Sequence, residues 1–546
     1  MGVRFRAERS GIDDPAVGPA QAERRAAGES FPAGLGSSRK RGEGRLASVQ
    51  AWFGAAIAEH AAGRPSAPAI LRDDGTVSFA DVHRAIEGVA ATLWRQGARP
   101  GRPIVLVLGA RTGDLLLLFA CHRLGVPVLA LAPDDPPPLA RALIAAASGD
   151  RIISGGSPVP SGFGVPWVAI GKDWLAADPR GLPPPPGPES PCYLVRSSGT
   201  TAGVPKLVVT SHAQEVADLD IGWSRFPLGE DDRYLAVVGF QFAFGRGGAQ
   251  RALMRGGAAI LPAPLRAMPD LLAVVARHRP TWTQLTPTHL RGLLAAARPE
   301  GQLLPGVKIL AGAGPLAVAE RRAILRHVTS ELYMDYGTNE VGALAMSTPE
   351  ELRRNPEGVG RPIPGVEMEV VDDDGRPCPS GEVGTLRFRS PLFPPGYEQA
   401  VAGSSSRFSD GWFYPGDLGL VDADGQLVLK GRVDDLINVG GLKIYPADIE
   451  GCLARHAAVM EAVAVGVPDR MRGTAVTAAV VLRSPASSVE LVAHCRDELG
   501  AARSPSRIVP FEDLPRNDMG KVDRVALRRL LGEAAEAGRS RSASTP

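Results

Sequence analysis

Apolar residues along this chain follow two periods, and the periods alternate. Trp52, Ile57 and Ala61 keep helical spacing; Val82, Ile86, Val89 and Leu93 form a second helical stripe, for which Ser78 and Asp81 are the candidate caps. Between helices come short unbroken apolar runs, Ile104–Leu108 and Val126–Ala132, with a helix over Asp114–Leu124 between them. Such alternation predicts parallel strands joined by crossover helices. It resumes with a helix over His212–Trp223, a strand over Arg233–Val238, a helix near Gly248–Met254, a strand over Ala258–Leu261 and a helix over Met268–His278. Thr281–Gln284 and Val307–Ala311 read as further strands. Residues 366–371, 383–388, 418–422 and 426–429 change the pattern. They are short strands broken at Asp374–Gly375 and Asp424–Gly425, which predicts an antiparallel, barrel-like region. A helix over Asp448–Arg455, strands at Ala462–Val467 and Thr474–Val481, a helix over Val489–Leu499 and a strand at Arg507–Phe511 then make a small α+β unit. The expected organisation is a disordered leader over 1–45, a large α/β domain of parallel-rich sheets over 46–431, a small domain over 432–531 and a disordered tail over 532–546.

The 546 residues suffice for two domains with substantial cores, and 44% hydrophobic content is that of a globular protein. A net charge of +2 gives no electrostatic reason to expect nucleic acid or an anionic membrane as partner. The five cysteines are scattered without a C-x-x-C pair, which argues for a reducing compartment and against disulfides or zinc. No apolar signal region follows Met1, and Pro103–Pro133 is interrupted by Arg111, Asp114 and Arg123, so a soluble cytoplasmic protein is expected.

The chemistry centres on Tyr193–Lys206, YLVRSSGTTAGVPK. Leu194 and Val195 end a buried strand, and Ser197, Ser198, Gly199, Thr200 and Thr201 then form a loop of small hydroxyl-bearing residues. Gly199 and Gly203 let successive N–H groups converge on an anion, and Lys206 adds a fixed charge. It is not a Walker loop, because Lys206 follows Pro205 and precedes Leu207. The alternative for this stretch alone is a polar surface turn between two strands. Further on, Tyr336-Gly337-Thr338-Asn339-Glu340 offers a ring to stack on adenine, a close-approach glycine and a carboxylate for Mg²⁺. Pro415-Gly416-Asp417 presents a carboxylate on a turn, Gly431-Arg432-Val433-Asp434-Asp435 follows, and Lys521 sits beside Gly520 near the end.

In this order the segments resemble the adenylate-forming superfamily, which includes acyl- and aryl-CoA ligases, peptide-synthetase adenylation domains and luciferases. One extra residue lies between Thr201 and Lys206, and Asn339 replaces a usual Thr. The resemblance implies ATP and Mg²⁺, a small carboxylic acid, and CoA or a carrier-protein phosphopantetheine as thiol acceptor, with transfer to an amine or a degenerate nucleotide-binding member as alternatives. It implies nucleotide contacts from Ser197 to Thr201, Lys206, Gly312, Ala313, Tyr336, Gly337, Asn339, Asp417 and Arg432, and Mg²⁺ at Glu340 and Thr200. It makes Lys521, with Glu340 and Thr200, catalytic. It places a hinge at Asp434, about which the small domain moves, and a pantetheine tunnel at Gly441. Neither nucleic acid nor membrane is implied; a homodimer is compatible. The segment Gly239–Gly248 resembles that of benzoate-type ligases. It puts Phe240, Gln241, Phe244 and Gly245 at the acid, disfavours a free α-amino acid because Gln241 is uncharged, and suits a flat, apolar aryl acid, although the three phenylalanines also read as core.

One competing reading remains. Gly312-Ala313-Gly314-Pro315-Leu316-Ala317 matches G-x-G-x-x-A after a strand and before a helix, with Glu331 and Asp335 at the spacing of a ribose acid, so an NAD(P)-binding half is a second hypothesis.

Overall fold

The computed structural model describes Trp52 and residues 54–201, 204–397, 407–439, 442–469, 473–516 and 522–542, the side chains of 197–205 and 534–542 excepted. The expected leader lies outside these residues. Two sheets dominate. One has nine strands, and its middle, Arg233–Leu235, Trp282–Leu285, Lys308–Ala311 and Leu332–Thr338, is parallel. The other has six strands, with Ile104–Val107 parallel to Val128–Leu131 at its centre. Both carry helices, as near-continuous apolar strands require. The first core gathers Leu235, Leu285, Ile309, Ile324 and Leu332, and the second Val105, Leu129, Leu143 and Ile152.

Ser78 is the cap of the helix Phe79–Arg95, accepting the Asp81 N–H. Met268–His278 and Arg507–Phe511 have the expected ends. The strand expected to stop at Val195 instead continues to Thr201 and pairs antiparallel with Val204–Ser211, with a bulge between Arg196 and Thr200. The helix expected from His212 to Trp223 is α-helical only to Ala217 and then takes a π-turn at Asp218–Gly222. The helix expected near Gly248 begins at Ala243, so Phe244 and Gly245 lie in its first turn.

Antiparallel strands Glu367–Val371, Gly384–Arg389, Asp417–Val421 and Leu427–Arg432 follow, around Leu386, Phe388 and Phe413. The 3₁₀ turn Val433–Asp435 then leads into the C-terminal α+β unit, where Val459–Asp469 pairs antiparallel with Gly473–Leu482 and the latter parallel with Arg507–Phe511. Residues 532–542, expected without regular structure, continue the helix Arg524–Ser542; their run of Ala, Glu and Arg favours helix. The cysteines are free thiols, yet Cys452 and Cys495, 43 positions apart, meet at 3.8 Å. No helix among the described residues is long and apolar enough to cross a membrane.

Candidate active site

Strand Leu332–Thr338 places its residues alternately on two faces, which separates Tyr336 from Asp335. Tyr336 points to the antiparallel sheet. Its hydroxyl donates to Asp417 Oδ2 at 2.6 Å, and its ring lies 6.0 Å from Phe388. Arg432 Nη1 donates to Asp417 Oδ1 at 2.9 Å and to the Pro415 carbonyl at 2.8 Å. Asp417 thus joins an aromatic residue and a cation from two distant segments. Burial, with the Asp417 charge beside it, holds the Tyr336 phenol well above its ordinary range. Gly416 makes the turn at φ +79°, and a Cβ there would stand 3.0 Å from the Arg432 guanidinium.

A second cluster forms around Glu340, which is 1% exposed. Arg407 Nη1 lies 3.3 Å from its Oε1, and the Tyr397 hydroxyl donates to the same oxygen at 3.4 Å. The Lys206 ammonium stands 5.2 Å from the centre of the Tyr397 ring. Burial and the neighbouring Glu340 charge push the Tyr397 hydroxyl up to about 12. Asn339 reaches back to the hairpin, donating to the Arg196 carbonyl at 3.4 Å, and Arg196 pairs with Asp135 at 2.9 Å. The structure therefore brings together Lys206, Asn339 and Glu340, and separately Tyr336, Asp417 and Arg432. Tyr397 and Arg407 belong to the first cluster and were missed, because neither sits in a motif.

Gly312 packs against Phe244, one of the residues expected at the acid. A Cβ on it would lie 3.0 Å from the Phe244 ring, and Ala313 follows at φ +64°. Phe240 is fully buried, whereas Gln241 and Phe244 keep accessible surface. Gly245 is small for a packing reason: a Cβ would stand 2.4 Å from the Gly239 carbonyl. Asp434 is exposed on the 3₁₀ turn, while Asp435 beside it pairs with Arg524 at 3.5 Å. The side chains of Ser197, Ser198, Thr200 and Thr201 lie outside the described residues, as do Gly441 and Lys521. Arg516 and Val522, which flank the Lys521 segment, pair across it.

The Glu340 cluster fits a hydrated Mg²⁺. Its second oxygen, Oε2, is buried without a partner among the described residues, and one oxygen ligand suits an ion that keeps waters and shares phosphate oxygens.

With this geometry the chain belongs to the AMP-binding enzyme family, whose AMP-binding domain matches residues 57–398 and whose C-terminal domain matches 448–521. The resemblance to adenylate-forming enzymes stands on that match, and Gly312–Ala317 falls within it, so the dinucleotide reading is set aside. The chain is 35% identical over 350 residues to sulfoacetate–CoA ligase of Cupriavidus necator, spanning 63% of this chain and 68% of the relative. It is 30% identical over 498 residues to salicyl-AMP ligase / salicyl-S-ArCP synthetase of Mycobacterium tuberculosis, spanning 84% and 86%. Among solved structures it resembles the amide bond synthetase McbA from Marinactinospora thermotolerans, with a TM-score of 0.77 and 28% identity over 87% of this chain and 99% of that one.

Proposed function

We propose that this protein is an AMP-forming acid ligase. A carboxylate oxygen attacks the α-phosphorus of ATP, the bond to the β-phosphate oxygen breaks, and pyrophosphate leaves. A thiol then attacks the acyl carbon and AMP leaves. The acceptor is CoA or a carrier-protein pantetheine; the likeness to an amide bond synthetase keeps an amine as the second reading.

The observation that carries the proposal is the convergence at Asp417: Tyr336 and Arg432, 96 positions apart in sequence, meet on one carboxylate. In this reading Asp417 and Arg432 hold the ribose, and the Tyr336 ring borders the adenine. The hairpin residues Ser197–Thr201 and Lys206 grip the phosphates, with Asn339 tying the hairpin down. Glu340, with the Thr200 hydroxyl, holds Mg²⁺, which supplies charge neutralisation at the phosphates when bound. Lys521 bridges the carboxylate and the α-phosphate. Negative charge grows on the phosphate oxygens as the new bond forms, so fixed donors and cations carry the stabilisation. The C-terminal domain then turns about Asp434 and presents Gly441 to the thiol. Phe244 and Gly312 favour a flat acid.

Pyrophosphate exchange across aryl, aliphatic and amino acids, followed by mass spectrometry of the product formed with CoA, tests the proposal. Exchange with aryl acids and a CoA thioester are expected. Exchange confined to aliphatic or amino acids removes the aryl assignment, and no exchange with any acid removes the ligase.

A further inference from the structure

The face of the nine-stranded sheet opposite Tyr336 carries polar groups that adenylation leaves unused. Leu310 pairs with Gln284 and Tyr333, and Ala311 with Met334, so Gly312 and Asp335 come next on the same face as Gln284. The helix Ala243–Met254 covers that face. Gly248 abuts Gln284, and Phe244 abuts Gly312. Gln284 is fully buried, and both its amide atoms lack a hydrogen-bond partner among the described residues; so does Asp335 Oδ1. Asp218 stands nearby on the π-turn, an irregularity that often marks functional sites, and accepts the Ala343 N–H at 2.8 Å.

Asp218 and Asp335 lie deep in the fold yet keep part of their surface accessible. Burial pushes Asp218 up to about 6 and Asp335, with the Asp218 charge added, up to about 7. Glu215 adds to the burial effect on Asp218 while Arg251 and Arg246 oppose it, and among the described residues no cation offsets Asp335. An acid with a wholly apolar body would leave these acceptors desolvated and unpaired.

We infer that the acid activated here carries an N–H donor, a ring N–H or an amine, away from its carboxylate, and that Asp335 and Asp218 accept it while Phe244 and Gly312 flank the flat body. This rests on the acid-ligase reading. A hydroxyl is the poorer match, because its lone pairs would turn toward the second carboxyl, whereas those of an aromatic amine or ring N–H are delocalised. The binding side is thus set by acceptors, in contrast to the cationic phosphate side.

The test is pyrophosphate exchange by the full-length protein with isosteric sets: amino-, hydroxy- and methylbenzoates, and indole- against benzothiophene-carboxylates, each across its positional isomers. In at least one set the N–H acid should exceed its apolar isostere by about 10- to 100-fold in kcat/KM. Asp335→Asn should bring that ratio to within about threefold, since it removes the charge the donor answers. The melting temperature of this variant, expected at or above the parent's, separates lost recognition from a lost fold. Vigorous exchange with ratios near one, hydroxy acids outrunning amino acids, or a ratio that survives Asp335→Asn overturns this inference alone. Absence of exchange with every acid overturns the ligase reading as well.

Discussion

Changing Glu340 to Gln keeps the side-chain shape and removes one charge. Oε1 faces Arg407 at 3.3 Å, and Oε2 has no partner among the described residues. At an effective dielectric of about 20 the gross attraction across that gap is about 5 kcal/mol, most of which desolvation of the buried carboxylate offsets. Arg407 is 22% exposed and can take water in place of the lost charge. The fold should therefore lose only about 1–2 kcal/mol, a shift of a few degrees in Tm for a domain this large. Catalysis should lose more, because the proposed mechanism places Mg²⁺ and the phosphates at this charge. Removing one such preorganised group costs about 10²–10³-fold in kcat. ATP–pyrophosphate exchange across a Mg²⁺ series, with thermal melts on the same preparations, reads both quantities. Exchange within about tenfold of the parent at every Mg²⁺ concentration, with unchanged half-saturation, refutes the assignment of Glu340.

Asp434→Pro should slow thioester formation at least about tenfold while sparing adenylate formation, since proline restricts the φ change a hinge needs; equal loss in both steps, followed by mass spectrometry, counts against the hinge. Lys521→Ala should lower acyl-adenylate formation by about 10² or more with ATP binding retained in titration calorimetry. Ala313→Gly should stabilise by about 0.5–1 kcal/mol, because Ala313 sits at positive φ; a lower Tm would refute this. Asp335, whose folded pKa is raised, binds its proton more tightly in the folded state. Its contribution is favourable in acid and is lost as pH rises from about 4 to about 7. Melts of Asp335→Asn should therefore exceed the parent's at pH 8 and converge toward it near pH 5; a constant difference would contradict the burial argument.

Legibility from sequence tracked how locally each feature is specified. Met268–His278 shows because Leu271, Val274 and Val275 repeat at helical spacing before a charged end. The helix Pro137–Ala146 is harder to read: it opens on two prolines and buries only Ala140, Leu143 and Ile144, a stripe too short to set a period. The strands Ile152–Ser154 and Trp167–Ala169 are only three residues long, and Gly- and Pro-rich chain surrounds them. Tyr336, Asp417 and Arg432 could be singled out because their chemistry sits in short motifs. Tyr397, Arg407 and Asp218 could not, because their surroundings come from contacts across the fold, and Asp335 stood out only as a candidate ribose acid. The aryl-acid expectation followed the phenylalanines, of which Phe240 is core; Gln284 and Asp335, on the sheet face that Phe244 covers, lie 40 and 91 positions away in sequence.

The contacts between the C-terminal unit and the rest of the molecule include three ion pairs, Lys443–Asp373 at 2.7 Å, Lys430–Asp448 at 3.3 Å and Arg291–Glu461 at 3.7 Å, beside the packing of the helix Pro446–Arg455 on the strand Leu427–Arg432. Pairs of this kind contribute about 1 kcal/mol or less apiece and fade once added electrolyte shortens the Debye length below about 10 Å. Added salt should therefore loosen the charged rim of that unit's seat and leave its packed contacts in place.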